Sequence, residues 1–209
     1  MINATNNGVK RELIPAGNYV ARCYSMVHIG TIDEVILGET KRMNKVRITW
    51  ELPTELRVFK EENGEQPMVI SQEFTLSMNE KANLRKFLES WRGKGFTEDQ
   101  AKSFDITKLL GVPCMLSIIH KQTKKGNEFE TISSIAAMPK GLECPAQVNK
   151  NFEFNYEDKF DATVLDSFPD FIKDKMKTSL EYKKRMNPEE TEVYEPVVID
   201  EQNNDGLPF

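Results

Sequence analysis

Cysteine, histidine and tryptophan are scarce in this 209-residue chain, at three, two and two. The cysteines Cys23, Cys114 and Cys144 are odd in number and far apart, with no CxxC and no Cys/His pairing. That argues against a disulfide framework or a zinc site and predicts buried thiols in a reducing compartment. No stretch approaches the roughly 20 apolar residues that span a bilayer. The opening MINATNNGVKRELIPAGNY lacks the apolar run of a secretory signal, so the expected location is the cytoplasm. Catalytic signatures are missing too. There is no HExxH, nucleophile elbow or dinucleotide fingerprint, and RGKG at 92–95 follows a helical pattern rather than a strand and lacks the phosphate-loop spacing. His28 and His120 fall on predicted strands without metal-ligand spacing. Asp170 with Glu181, Tyr182 and Lys183 spells the outline of a metal-dependent nuclease core. On one predicted helix, however, those acids stand roughly 16 Å apart, too far to share a metal. The expectation is a protein with no catalytic role, cofactor or metal.

What is present is a charge asymmetry. Residues 1–140 carry 20 Lys and Arg against 17 Asp and Glu, whereas residues 141–209 carry 8 against 16. A mildly basic body can hold a polyanion that a strongly acidic C-terminal third repels. From Asn187 to Asp205 there are seven acids and no Lys or Arg, which predicts disorder.

The periodicities give an order of elements. GNYVARCYSMVHIGT (17–31) has strand composition. NKVRITWEL (44–52) alternates, with Val46, Ile48, Trp50 and Leu52 on one face and Lys45, Arg47, Thr49 and Glu51 on the other. MVISQEFTLS (68–77) alternates again, with Ile70, Phe74 and Leu76 inward. The period then changes. Ser77 and Glu80 have capping-box spacing, and Leu84, Phe87, Leu88 and Trp91 form a helical stripe stopped by Gly93. TEDQAKSF and DITKLLG read as short helical pieces. Strands at 114–122 and 128–138 flank a turn at 123–127. The sum is β-β-β-α-β-β, which predicts a mainly β protein with helices and matches the five-stranded OB-fold barrel. The expected organisation is a barrel domain over 1–140, an extended arm and short helix over 141–186, and a disordered acidic tail over 187–209.

A single-strand binder needs cations along a groove and flat rings for bases. The outward face of 44–52 offers Lys45 and Arg47, and that of 18–29 offers Arg22, Tyr24 and His28. The first inter-strand loop ends in Lys41 and Arg42, and the last hairpin offers His120, Lys121, Lys124, Lys125 and Phe129. In OB order these fall on the strands and loops that this fold turns toward nucleic acid. Trp50, sharing a face with Val46 and Ile48, reads as core.

The chain ends Asp205-Gly206-Leu207-Pro208-Phe209. An apolar tip with a free carboxylate, after an acidic approach, resembles the C-terminus of bacterial and phage single-stranded DNA-binding proteins. In that family several Asp precede Ile-Pro-Phe. Here Leu replaces Ile, and Gly206 and sparser acids thin the Asp run. LIPAGNYVARC, VRITWEL, LRKFLESWRGKGFT and PDFIKDKMKTSLEYK are similar in style to phage members. The resemblance implies an OB-fold that holds and protects single-stranded DNA in replication and recombination. It also implies that Asp205, Leu207, Pro208 and Phe209 recruit replication or repair enzymes. A partner would supply an apolar pocket for the Phe209 ring and a cation for its carboxylate. The body departs from the well-known bacterial sequences, so their tetramer is not implied and homo-oligomerisation stays open. The alternatives are a strand-annealing or mediator protein, a nuclease, and a scaffold protein without a nucleic-acid role.

Overall fold

The computed structural model describes residues 12–157 and 161–187. Two long strands organise it. β1 (Gly17–Ile36) and β2 (Glu39–Val58) pair antiparallel from Arg22↔Glu51 to Ile36↔Glu39. β3 (Glu65–Thr75) adds to the far edge of β2. β4 (Pro113–Gln122) pairs with the first third of β1, and β5 (Glu128–Ala136) returns along β4. The path is therefore β3-β2-β1-β4-β5. A sixth strand, β6 (Phe152–Phe154), lies parallel to β1 at Ser25–Val27. The expectation of a mainly β protein with helices holds. Among the described residues the sheet has six strands rather than five and no ladder joins β3 to β5, so it is not closed.

β1 serves β4 and then β6 along one edge because it bends. Register shifts at Cys23/Ser25 and His28/Gly30 mark bulges, which kink a strand and increase its twist. Its side chains feed two cores. Ala21, Cys23 and Met26 join Ile48, Trp50, Leu52 and Leu116 on one face. There, α1 (Asn83–Arg92) inserts Leu84, Leu88 and Trp91, and the Trp50 ring sits 5.8 Å from Trp91 and 5.6 Å from Phe87. On the other face, Val27, Ile29 and Ile32 pack with Phe154, Tyr156, Leu165, Ile172 and Met176. A strand buried on both faces reads as a continuous apolar run, which is why CYSMVHIG does not alternate.

The helix ends follow local chemistry, with one correction. Gly93 stops α1 in the left-handed conformation, as its position predicts. Ser77 does not cap α1, however. The helix starts after Ala82 without a side-chain cap, and the Ser77 hydroxyl instead accepts from the Asn79 amide. α2 (Glu98–Lys102) opens with a capping box between Thr97 and Gln100, and Asp105 caps the short 3-10 turn at Ile106–Leu109. Leu76, expected inward, follows the end of β3 and is exposed.

Past Cys144, β6 and the helices of the described residues pack against the sheet. After the short α3 (Ala162–Leu165), the one short helix expected within 141–186, read from PDFIKDKMKTSLEYKKRM, is two helices, α4 (Asp170–Thr178) and α5 (Leu180–Met186). Ser179 breaks them apart. Its extended backbone ends α4, its buried hydroxyl donates to the Met176 carbonyl, and it accepts from the Tyr182 amide to start α5. Among the described residues, no helix is long and apolar enough to cross a membrane.

Candidate nucleic-acid interface

The residues expected to face nucleic acid divide into two groups. The first lies on the outward face of β1 and β2, and residues within 144–157 and 161–187 cover it. Arg22 and Glu51 are direct cross-strand partners. The Arg22 guanidinium donates to the carbonyls of Gly111 (2.7 Å), Pro145 (3.0 Å) and Cys144 (3.4 Å). Glu51, 0% exposed, accepts from the amides of Val148 (2.9 Å) and Asn149 (2.8 Å) and from Asn149 Nδ2 (2.7 Å). One strand rung thus grips the arm's backbone by its carbonyls on one side and its amides on the other. Tyr24 lies half-buried beside this rung, and burial, with Glu51, raises its hydroxyl pKa.

Farther along, Lys45 pairs with Glu34 at 3.1 Å and Arg47 with Glu73 at 3.4 Å. Lys175 of α4 donates to Glu73 at 2.6 Å and stands 3.8 Å from Glu34, while the Phe171 ring lies 5.5 Å from the Arg47 guanidinium. Burial pulls the Arg47 pKa below its ordinary value against the opposing pull of Glu73. His28 Nε2 lies 2.6 Å from Asn44 Oδ1, and the His28 ring meets Tyr156 edge-on. Arg22, His28, Lys45 and Arg47 thus make internal contacts and Tyr24 is half-buried, so this face is not the open surface that the alternation suggests. Lys41 and Arg42, on the ribbon that β1 and β2 form past Gly30, pair with Glu39 at 3.8 Å and Asp33 at 2.8 Å.

The second group is the β4–β5 hairpin. Gly126, at φ 79°, allows the tight turn, and the Thr123 amide donates to Asn127. Lys121, Lys124 and Lys125 are exposed and make no ion pair among the described residues. Phe129 sits directly across from Lys121 and is 40% exposed. His120 does not share this exposure. It donates from Nε2 to the Ile14 carbonyl (2.7 Å), with Nδ1 3.3 Å from Glu128, so it ties the hairpin root to the N-terminal segment.

No protein-family model matches this chain, and neither does any curated protein.

Among the described residues, no group of three or more His, Cys, Asp or Glu could hold a metal. Asp170 and Glu181, placed on separate helices, are engaged by Lys173 (2.9 Å) and by Thr31. The thiols of Cys23 and Cys114 are buried, and burial pushes Cys23 up to about 12. An open cleft of about 710 Å³ runs between His28 and Asn44 and the α2 region, but among the described residues Glu98, Asp105, Glu153 and Glu157 line it against Lys102 alone, a field that repels a polyanion. Asp205, Leu207, Pro208 and Phe209 lie outside the described residues.

The aromatic residues of the arm suggest from sequence that some of its rings pack on the barrel, and Phe152, Phe154 and Tyr156 do pack on β1. What the sequence reading did not place is the arm over the candidate cations of β1 and β2, with Glu51 as its anchor.

Proposed function

We propose that the protein is a non-catalytic single-stranded DNA-binding protein built on an OB-type barrel that is open between β3 and β5. It would hold and protect single strands during phage or bacterial DNA replication and recombination, with its acidic C-terminal tip recruiting partner enzymes. The observation that carries the reading is the β4–β5 hairpin, where three exposed lysines without an ion pair among the described residues stand with an exposed phenylalanine. Cations for phosphates and a ring for a base are what a sequence-tolerant single-strand site requires. The strand path, with α1 between β3 and β4, supports the barrel type.

The test is fluorescence anisotropy with a labelled oligo-dT of about 30 nucleotides, set against duplex of the same length at two salt concentrations. Salt-sensitive preference for the single strand is expected. The triple substitution Lys121→Gln, Lys124→Gln, Lys125→Gln is expected to flatten the slope of log affinity against log salt by about 2, at about 0.7 per lost phosphate contact. Equal binding of duplex and single strand, or an unchanged slope in the triple variant, would remove the hairpin from the interface. Deleting Asp205–Phe209 is expected to leave oligo-dT binding intact while abolishing pull-down of a replication enzyme by the coated strand. Undiminished pull-down would discard recruitment through the tip.

A further inference from the structure

We infer that α5 and the β1–β2 ribbon form a second contact surface for the same single strand, with Lys183 and Lys184 meeting phosphates and the ribbon tip, Val35 and Leu37, meeting bases. This rests on the single-strand reading and extends it to the opposite end of β1 from the β4–β5 hairpin.

By itself the ribbon has no net field. Asp33 pairs with Arg42, Glu34 with Lys45 and Glu39 with Lys41. α5 changes that balance. The Glu181 carboxylate takes the Thr31 amide (2.6 Å) and hydroxyl (2.7 Å), and the α4–α5 junction packs directly against Gly30. This seats the last turn of α5 beside the Asp33–Arg42 rung, close enough for the Lys183 charge to help hold the Asp33 carboxyl below its ordinary pKa, after the larger effect of the Arg42 hydrogen bond.

α4 and α5 together carry Lys173, Lys175, Lys177, Lys183, Lys184 and Arg185 against Asp170, Asp174 and Glu181. Several of these are engaged: Asp170 by Lys173, Glu181 by Thr31, Lys175 by Glu73, and Arg185 by the carbonyls of Tyr156 and Glu157. Lys183 and Lys184 are exposed and make no ion pair among the described residues, so they are excess positive charge next to a neutral ribbon.

The tip adds a feature that a merely solvated charged surface would lack. The ribbon turns at Leu37 and Gly38, with φ 53° and 87°. Asn or Gly is the low-cost residue at the first of these positions, and leucine there is strained. The strain gains no packing, because Leu37 is 84% exposed and Val35 72%. Apolar side chains held out beyond a cationic flank suit unstacked bases whose phosphates run alongside.

The test uses the full chain with labelled oligo-dT of about 30 nucleotides across a salt series. Lys183→Gln with Lys184→Gln is expected to weaken binding about tenfold and to reduce the salt slope by about 1.4, two contacts at about 0.7 each. Leu37→Asn is expected to weaken binding several-fold with the salt slope and the unfolding midpoint retained, since Asn accepts the left-handed turn. If both variants keep wild-type affinity and slope while the β4–β5 triple variant loses them, the second surface is overturned and the single-strand reading stands. If wild-type protein shows no salt-sensitive preference for single strands, that reading fails and this surface with it. If Leu37→Asn changes the sedimentation coefficient but not the affinity, the tip is a contact between copies, which also overturns the proposal.

Discussion

Glu51→Ala lowers the free energy of unfolding by about 3–4 kcal/mol, because it strands two amides and an amide side chain that now share one carboxylate. The loss comes from unpaired donors rather than from a cavity, so Glu51→Gln, which keeps the shape but offers only one acceptor oxygen, recovers little of it. Urea unfolding gives the free energies. Hydrogen exchange at Val148 and Asn149 locates the damage, with protection falling there first. Arg22 grips the same stretch from the adjoining strand, so the two residues act as a unit. A double-mutant cycle of Arg22→Ala and Glu51→Ala is expected to show coupling above about 1 kcal/mol. Additivity within about 0.5 kcal/mol would mean that each merely fills its own site.

Gly30→Ala is the second large effect, at about 2–5 kcal/mol. Two terms add. A side chain at φ 97° costs about 1–2 kcal/mol. The new methyl would also lie 2.7 Å from both Ser179 Cβ and Glu181 Oε2, and relieving that overlap by moving the α4–α5 junction costs about 1–3 kcal/mol more. Gly38→Ala separates the terms. Its φ is 87°, but nothing lies within 4 Å of an added methyl, so only the backbone cost of about 1–2 kcal/mol applies. Equal urea midpoints for the two variants would show that close approach at Gly30 contributes nothing.

What the sequence disclosed, and what it hid, follows from what a periodicity encodes. Val46, Ile48, Trp50 and Leu52 share a face because a strand repeats every second residue, and all four are buried. The same alternation groups Lys45, Arg47, Thr49 and Glu51, and it is silent about what lies over them. Solvent was the simple inference, but the cover comes from about 100 residues downstream. α1 was legible because its stripe, Leu84, Leu88 and Trp91, and its stop at Gly93 are all local. The break at Ser179 was not, since a helical stripe continues through it. Ser179 starts a new helix because Gly30 admits the junction at close range, a fact of tertiary structure. Within the candidate site the hairpin was legible, as a glycine turn between two strands must present its polar tip. The committed roles of Arg22 and Arg47 were not, because an arginine that binds carbonyls or a glutamate looks the same in sequence as one that binds phosphate.

The division of β1 between two cores bears on how the chain matures during synthesis. Val27, Ile29 and Ile32 leave the ribosome early, but Ile172 and Met176, which cover them, follow roughly 150 residues later. At about 5–20 residues per second, that apolar face waits on the order of 10–30 s for its partners. The first 140 residues contain β1 to β5 but lack the residues that cover Val27, Ile29 and Ile32. A chain cut after Pro139 would present an uncovered apolar sheet face and is expected to collect as insoluble aggregate rather than as a smaller working protein.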